Sequence, residues 1–215
     1  MKLYSGPLSL FTAKVRIALD EKGIAYELVS VPFGRAQGYQ PKHPDVVAIN
    51  PKGQVPVLVD EGLALFDSTV ILEYLEDRYP TPALYPTDVA ERARCRQLEA
   101  ASDEILFPSV FELISEVFYQ PEHRNEDRVA RAREAIARHY DELERRVAER
   151  PYLCGVFSVA DIAYFLTATF ATSLGAPIGD AHPHLAAWYG RVLARPPVTK
   201  EVMTLTEAMR RVSAA

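Results

Sequence analysis

Asp67 and Ser68 open a helix in this chain. At a helix start, free N–H groups, a hydroxyl and a carboxylate can together hold the charged end of a ligand. Eleven residues upstream stands Pro56, which has no N–H and cannot extend a strand ladder inward. It pushes Val55 into an extended conformation, leaving the Val55 N–H and C=O free to face outward. Gln54 stands beside it. An edge of this kind docks an extended peptide, so the chemistry these residues suggest is the capture of a short, charged, extended ligand.

The elements that must position these groups can be read around them. Asn50-Pro51-Lys52-Gly53-Gln54 is a loop, 57–59 a short apolar strand and Asp60-Glu61-Gly62 a hairpin turn. Leu63–Phe66 is a second strand and Ser68 begins a helix that buries Ile71, Tyr74, Leu75 and Tyr79. Upstream, Lys2–Ser5 is a strand, 13–22 a helix stopped by Gly23, and 26–31 another strand. Strand, helix and strand within about thirty residues predict a right-handed βαβ unit. The antiparallel hairpin and final helix complete a thioredoxin-like α/β domain.

After residue 79 the composition changes. Tyr79-Pro80-Thr81-Pro82-Ala83-Leu84-Tyr85-Pro86 is proline-rich and reads as a linker. The expected domains are 1–79, a linker at 80–87, and an all-α domain at 88–215. In the latter, 88–119 is a long amphipathic segment that Pro108 should kink. Residues 126–150 carry a stripe of Val129, Ala132, Ile136, Tyr140, Leu143 and Val147. Ser158 and Asp161 form a capping box ahead of a helix that is apolar nearly all round.

The bulk numbers exclude some functions. A net charge of −5 argues against a broad nucleic-acid surface. The first residues lack the apolar run of a signal peptide, and no stretch is long enough to span a bilayer, so the expected address is the cytoplasm. Cys95 and Cys154 form neither a close pair nor a metal-ligand spacing, and no metal is expected.

The order and spacing of these parts resemble the glutathione-binding half of the cytosolic glutathione transferases. That family carries N-P-x-G-x-V-P, here Asn50 to Pro56, then an acidic residue or Gln followed by Ser, here Asp67-Ser68. It sets them on a thioredoxin-like fold with a cis proline. In thioredoxins the turn after the first strand carries C-x-x-C. Here it is Gly6-Pro7-Leu8-Ser9-Leu10-Phe11-Thr12, with no cysteine, so a hydroxyl could hold a thiolate supplied by a ligand. Ser9, ahead of Val15-Arg16-Ile17-Ala18-Leu19, matches the active serine of serine-type transferases. Ser5, Thr12 and Tyr4 compete for that role, and Ser9 also reads as a helix cap, which does not exclude it.

The resemblance implies more. Val55 would pair with the cysteinyl backbone of glutathione, beside Gln54 and Pro56, and Asp67 and Ser68 would hold its γ-glutamyl end. Lys42 falls where a plant-type class has a lysine near the glycyl carboxylate. Phe107, Phe111 and Ile114 would line the pocket of a small hydrophobic electrophile, although their spacing also fits core packing. The implied activity is conjugation of glutathione thiolate to that electrophile by a cytoplasmic homodimer serving detoxification. A second resemblance is to the stringent starvation protein A group, transferase-like proteins that partner RNA polymerase. It lies in Leu3-Tyr4-Ser5-Gly6-Pro7 and Leu205-Thr206-Glu207-Ala208. That group has P-H-P where this chain has Pro80-Thr81-Pro82.

Overall fold

The computed structural model describes residues 1–40, 42–119 and 121–214. These form two compact units: one spans Met1–Leu84 together with the last helix, the other Tyr85–Arg195.

The first unit is built on β1 (Lys2–Ser5), α1 (Leu10–Glu21), β2 (Glu27–Ser30), α2 (Pro44–Ile49), β3 (Val57–Asp60), β4 (Leu63–Phe66) and α3 (Ser68–Arg78). The sheet order is β2-β1-β3-β4, with β1 parallel to β2 and antiparallel to β3, and β3 antiparallel to β4. This is the expected βαβ unit followed by a hairpin and a helix. Gly23 ends α1 at φ +65°, a conformation open to it because it has no Cβ. Tyr4, Val31, Val46 and Val57 form one apolar cluster, against which Val29, Tyr39, Ile49, Val55 and Phe66 pack. On α3 the buried residues are Ser68, Ile71, Leu72, Leu75 and Glu76, whereas Tyr74 and the capping Tyr79 are only half-buried. The Tyr74 hydroxyl donates to Asp60 at 2.7 Å, which draws that ring to the edge.

Two polar contacts set the unit's limits. The Lys22 ammonium, on a side chain with no exposed surface, lies 2.8 Å from Glu76 and donates to the Tyr79 and Pro82 carbonyls at 2.7 and 2.8 Å. Glu76 also accepts the Leu84 N–H. A buried ammonium needs such acceptors, so most of the proline-rich stretch is bound to this unit instead of hanging as a free tether. The division differs again at the last helix, α9 (Pro196–Ala214), which packs on α1. Arg16 forks onto the buried Glu201 of α9, with its Nε donating at 2.9 Å, and Lys200 pairs with Asp20 at 2.7 Å.

The second unit is all helix. It contains α4 (Val89–Ala101), a π-helical turn (Ser102–Leu106), α5 (Phe107–Leu113), a second π-helical turn (Ile114–Tyr119), α6 (Glu126–Val147), α7 (Val159–Ser173) and α8 (Pro183–Leu193). Pro108 has no N–H for the carbonyl four residues back, and the helix widens to a π turn immediately before it. All six stripe residues of α6 are buried. The α7 core helix is fixed by Asp161, which is fully buried and accepts four donors: the Leu153 and Ser158 N–H groups at 2.9 Å, the Ser158 hydroxyl at 3.0 Å and the Trp188 indole N–H at 2.8 Å. Burial pushes the Asp161 carboxyl upward, and these donors oppose that push. No helix among the described residues is long and apolar enough to cross a membrane.

Candidate functional site: a ligand cradle at one end of the sheet

The strand register gathers the candidate residues of the first unit. Tyr4 pairs with Val57, and Val57 pairs with Phe66, so these three mark one end of the sheet. One or two residues beyond them lie the Gly6–Ser9 turn, Val55-Pro56 and Asp67-Ser68. The α1 and α3 N-termini open at the same end. Two helix N-termini, each carrying a partial positive charge, favour a ligand with negative charge there.

The Val55–Pro56 peptide is cis. Pro56 is buried and the Val55 side chain packs on the apolar cluster, which anchors the segment while Gln54 stays exposed. Asn50 shapes the approach. Its Nδ2 donates to the Gln54 carbonyl at 2.8 Å, and its Oδ1 accepts the Lys52 N–H at 3.0 Å. Gly53 adopts φ +59°, and a Cβ there would come within 3.5 Å of the Lys42 side chain. Lys42 therefore runs alongside the turn leading into Gln54 and Val55. Lys52 is exposed.

Asp67 caps α3, with Oδ1 accepting the Thr69 N–H at 3.0 Å. Its φ of +76° is a conformation that costs a non-glycine residue about 1–3 kcal/mol. The carboxylate is exposed, while Ser68, beside it in the first turn of α3, is only 4% exposed.

The four candidate hydroxyls are sorted by their partners. The Tyr4 hydroxyl donates to Asp45 at 2.7 Å, and that bond holds its pKa up at about 12. Its proton is committed. Ser5 is buried and its Oγ accepts from Arg16 at 2.6 Å. Thr12 is fully buried, and its Oγ1 has no hydrogen-bond partner. Ser9 caps α1, its Oγ accepting the Thr12 N–H at 3.2 Å. A hydroxyl that only accepts still has its proton to donate, so capping and a second role at Ser9 are compatible. The turn carrying it is clamped by Tyr39. The Tyr39 hydroxyl accepts the Leu8 N–H at 3.2 Å, and its ring lies so close to Gly6 that a Cβ there would meet it at 2.5 Å.

Sequence alone gives no role to Tyr39, Asp45 and Arg16, and places Asn50 only as the first residue of the N-P-x-G-x-V-P motif. Asn50 had a legible signal, since Asn two residues before a turn N–H is an Asx-turn former. The other three act across the fold. In the helical unit, Leu106, Val110 and Leu113 form the core face of the α5 region. Phe107 and Ile114 are half-buried and Phe111 is 53% exposed, so none of the three is a fully buried core residue. The Phe107 and Phe111 rings lie 6.1 Å apart. No group of three His, Cys, Asp or Glu side chains among the described residues is arranged to hold a metal ion.

A mixed four-stranded sheet with a cis proline ahead of its third strand, followed by an all-helical unit, defines a thioredoxin-like domain joined to a helical domain. Family comparison agrees with both halves. Residues 3–83 match the glutathione S-transferase N-terminal domain and residues 126–191 match the glutathione S-transferase C-terminal domain. The chain is 35% identical to the uncharacterized GST-like protein YibF of Escherichia coli, covering 76% of this chain and 78% of that one. It is 29% identical to a glutathione S-transferase structure from Rhodospirillum rubrum, with a TM-score of 0.82 over 93% of this chain and 90% of the other. A stringent starvation protein A homolog from Coxiella burnetii is 43% identical, but over only 46% of this chain and 44% of its own length. The chain belongs to the glutathione S-transferase family.

Proposed function

We propose that this chain binds reduced glutathione along the sheet end and conjugates its thiolate to a small hydrophobic electrophile. The observation that carries the reading is the convergence of Ser9, Val55 and Asp67-Ser68 at one end of the sheet, under two helix N-termini. The Val55 backbone pairs with the cysteinyl residue, with Gln54 and Pro56 framing it. Asp67 meets the γ-glutamyl ammonium, and the Ser68 hydroxyl and the α3 N–H groups meet its carboxylate. Lys42 reaches the glycyl carboxylate. Ser9 donates to the sulfur, and the α1 N-terminus adds to the field that favours thiolate. Phe107, Phe111 and Ile114 supply apolar surface for the electrophile.

A relative of known structure supports the ligand: a sphingomonad glutathione S-transferase, 26% identical, was solved complexed with glutathione. The enzyme is read as a cytoplasmic homodimer, as in its family. The test is calorimetric titration of reduced glutathione, followed by turnover of a small aryl halide. Heat of binding and thioether product are expected. The absence of heat at millimolar glutathione overturns the reading.

The partial match to the stringent starvation protein A homolog favours a second reading, a non-catalytic binding protein of the transferase fold. Recovery of RNA polymerase in a pull-down, with neither glutathione binding nor turnover, would select it.

A further inference from the structure

The turn that carries Ser9 is held from outside by a residue to which the proposed chemistry gives no part. Gly6 to Ser9 is a four-residue turn, closed by the Ser9 N–H on the Gly6 carbonyl at 3.3 Å. That bond is just beyond the usual range for a backbone pair, so the turn's own closure holds Ser9 only weakly. Tyr39, 31 residues beyond Leu8, supplies two more contacts. Its hydroxyl oxygen accepts the Leu8 N–H at 3.2 Å, on the residue immediately before Ser9. Its ring lies against Gly6, where a Cβ would meet Cε1 and the hydroxyl oxygen at 2.5 Å and Cζ at 2.7 Å. Gly6 does not adopt a positive φ, so this close approach, not the backbone conformation, is what calls for glycine. Tyr39 is itself fixed. Gly34 and Gly38 exchange two backbone hydrogen bonds, at 2.9 and 2.7 Å, which close the loop just before it. The Phe33 and Tyr39 ring centroids are 4.7 Å apart, and Tyr39 packs on the apolar cluster of Tyr4 and Val57.

We propose, building on the reading that Ser9 meets the glutathione sulfur, that Tyr39 is the residue that positions Ser9 for that contact. The Ser9 hydroxyl is committed on one side, since its Oγ accepts the Thr12 N–H. Where its proton can point then depends on where the Ser9 backbone stands. Tyr39 fixes that backbone through the first and third residues of the turn, Gly6 and Leu8. A hydrogen bond weakens steeply as its angle bends, and a small displacement of a group that meets a reacting atom costs rate out of proportion to its size. Without the Tyr39 hydroxyl the Leu8 N–H loses this acceptor, the turn relaxes and Ser9 donates less well to the thiolate. The thiol form gains at the expense of the thiolate, and the pKa of the bound sulfur rises. Tyr39 needs no contact with the tripeptide for this, because it acts through Ser9.

The test is a double-mutant cycle on the full-length protein, read as the pKa of bound glutathione by thiolate absorbance. Tyr39→Phe removes the hydroxyl and keeps the ring against Gly6. It should raise the thiol pKa by about half a unit to one unit, less than the loss of Ser9 itself, with glutathione affinity by calorimetry nearly unchanged. In a Ser9→Ala background the same substitution should shift the pKa no further. An unshifted pKa in Tyr39→Phe overturns the proposal. So does an equal rise with and without Ser9, which would place Tyr39 in direct contact with the ligand or make its role a general one in stability. Should Tyr39→Phe fold poorly, Gly6→Ala disturbs the same contact from the other side, and the same results support or overturn the proposal. Wild-type protein that binds no glutathione is a different failure. It overturns the reading of the whole site, and this proposal with it, before any variant is made.

Discussion

Replacing Ser9 by alanine separates the cap that its hydroxyl makes from the role proposed above for its proton. Its Oγ accepts the Thr12 N–H at 3.2 Å, a long bond, so loss of the cap should cost about 0.5–1 kcal/mol, the low end for such caps. The proton of that hydroxyl is the one proposed to meet the glutathione sulfur. A hydrogen bond to a charged group contributes about 1.5–3 kcal/mol, and one pKa unit corresponds to about 1.4 kcal/mol. The bound thiol pKa should therefore rise by about 1–2 units in Ser9→Ala, while the α1 N-terminus keeps its share of the stabilisation. Glutathione affinity should stay nearly unchanged, because the other contacts of the tripeptide are elsewhere on the sheet end. The assay is titration of the thiolate absorbance of the bound tripeptide, with aryl halide turnover measured across pH. Turnover should fall roughly tenfold at mildly acidic pH and recover as the pH passes the new thiol pKa. Tyr4→Phe is the control, since that hydroxyl is already given to Asp45. An unshifted thiolate titration, or a rate loss equal at every pH, would refute the role of Ser9.

Asp67→Gly should remove the carboxylate without unfolding the unit. Glycine tolerates φ +76° and is a nearly equivalent cap, so urea stability should change by less than about 1 kcal/mol. Glutathione affinity by calorimetry should fall roughly tenfold, the value of one exposed charge-assisted contact. Asp161→Asn places an amide NH2 among four donors, and should cost about 3–5 kcal/mol in urea unfolding, leaving the affinity of the residual folded protein intact. A loss below 1 kcal/mol would show that the charge is not what organises α7. In alkali, Tyr4 keeps its proton in the native state up to about 12, against an ordinary value of 10. Its contribution is complete below pH 10 and is lost as pH climbs toward 12. Denaturation at stepped alkaline pH should show a shallower decline in Tyr4→Phe than in the wild type.

Much of this fold was legible because local signals agreed with the tertiary outcome. Leu63–Phe66 and Lys2–Ser5 fell as expected. So did the α6 stripe and the Ser158–Asp161 cap. Periodicity, turn residues and caps act within a few residues of one another and survive in the folded chain. The candidate ligand residues were legible for the same reason, as each sits at the mouth of an element that the sequence announces.

Contacts between distant segments were not legible. Sequence could propose four hydroxyls for one task, but only the fold gave the Tyr4 proton to Asp45 and set Arg16 against Ser5. The last helix reads as part of the helical half, yet the buried Arg16–Glu201 pair attaches it to the first unit. The sequence by itself determined which elements form and which chemical groups stand at their ends. Tertiary structure decided which of those groups are already spent on each other, because a proton given or a charge paired across the fold depends on distances that no local pattern encodes.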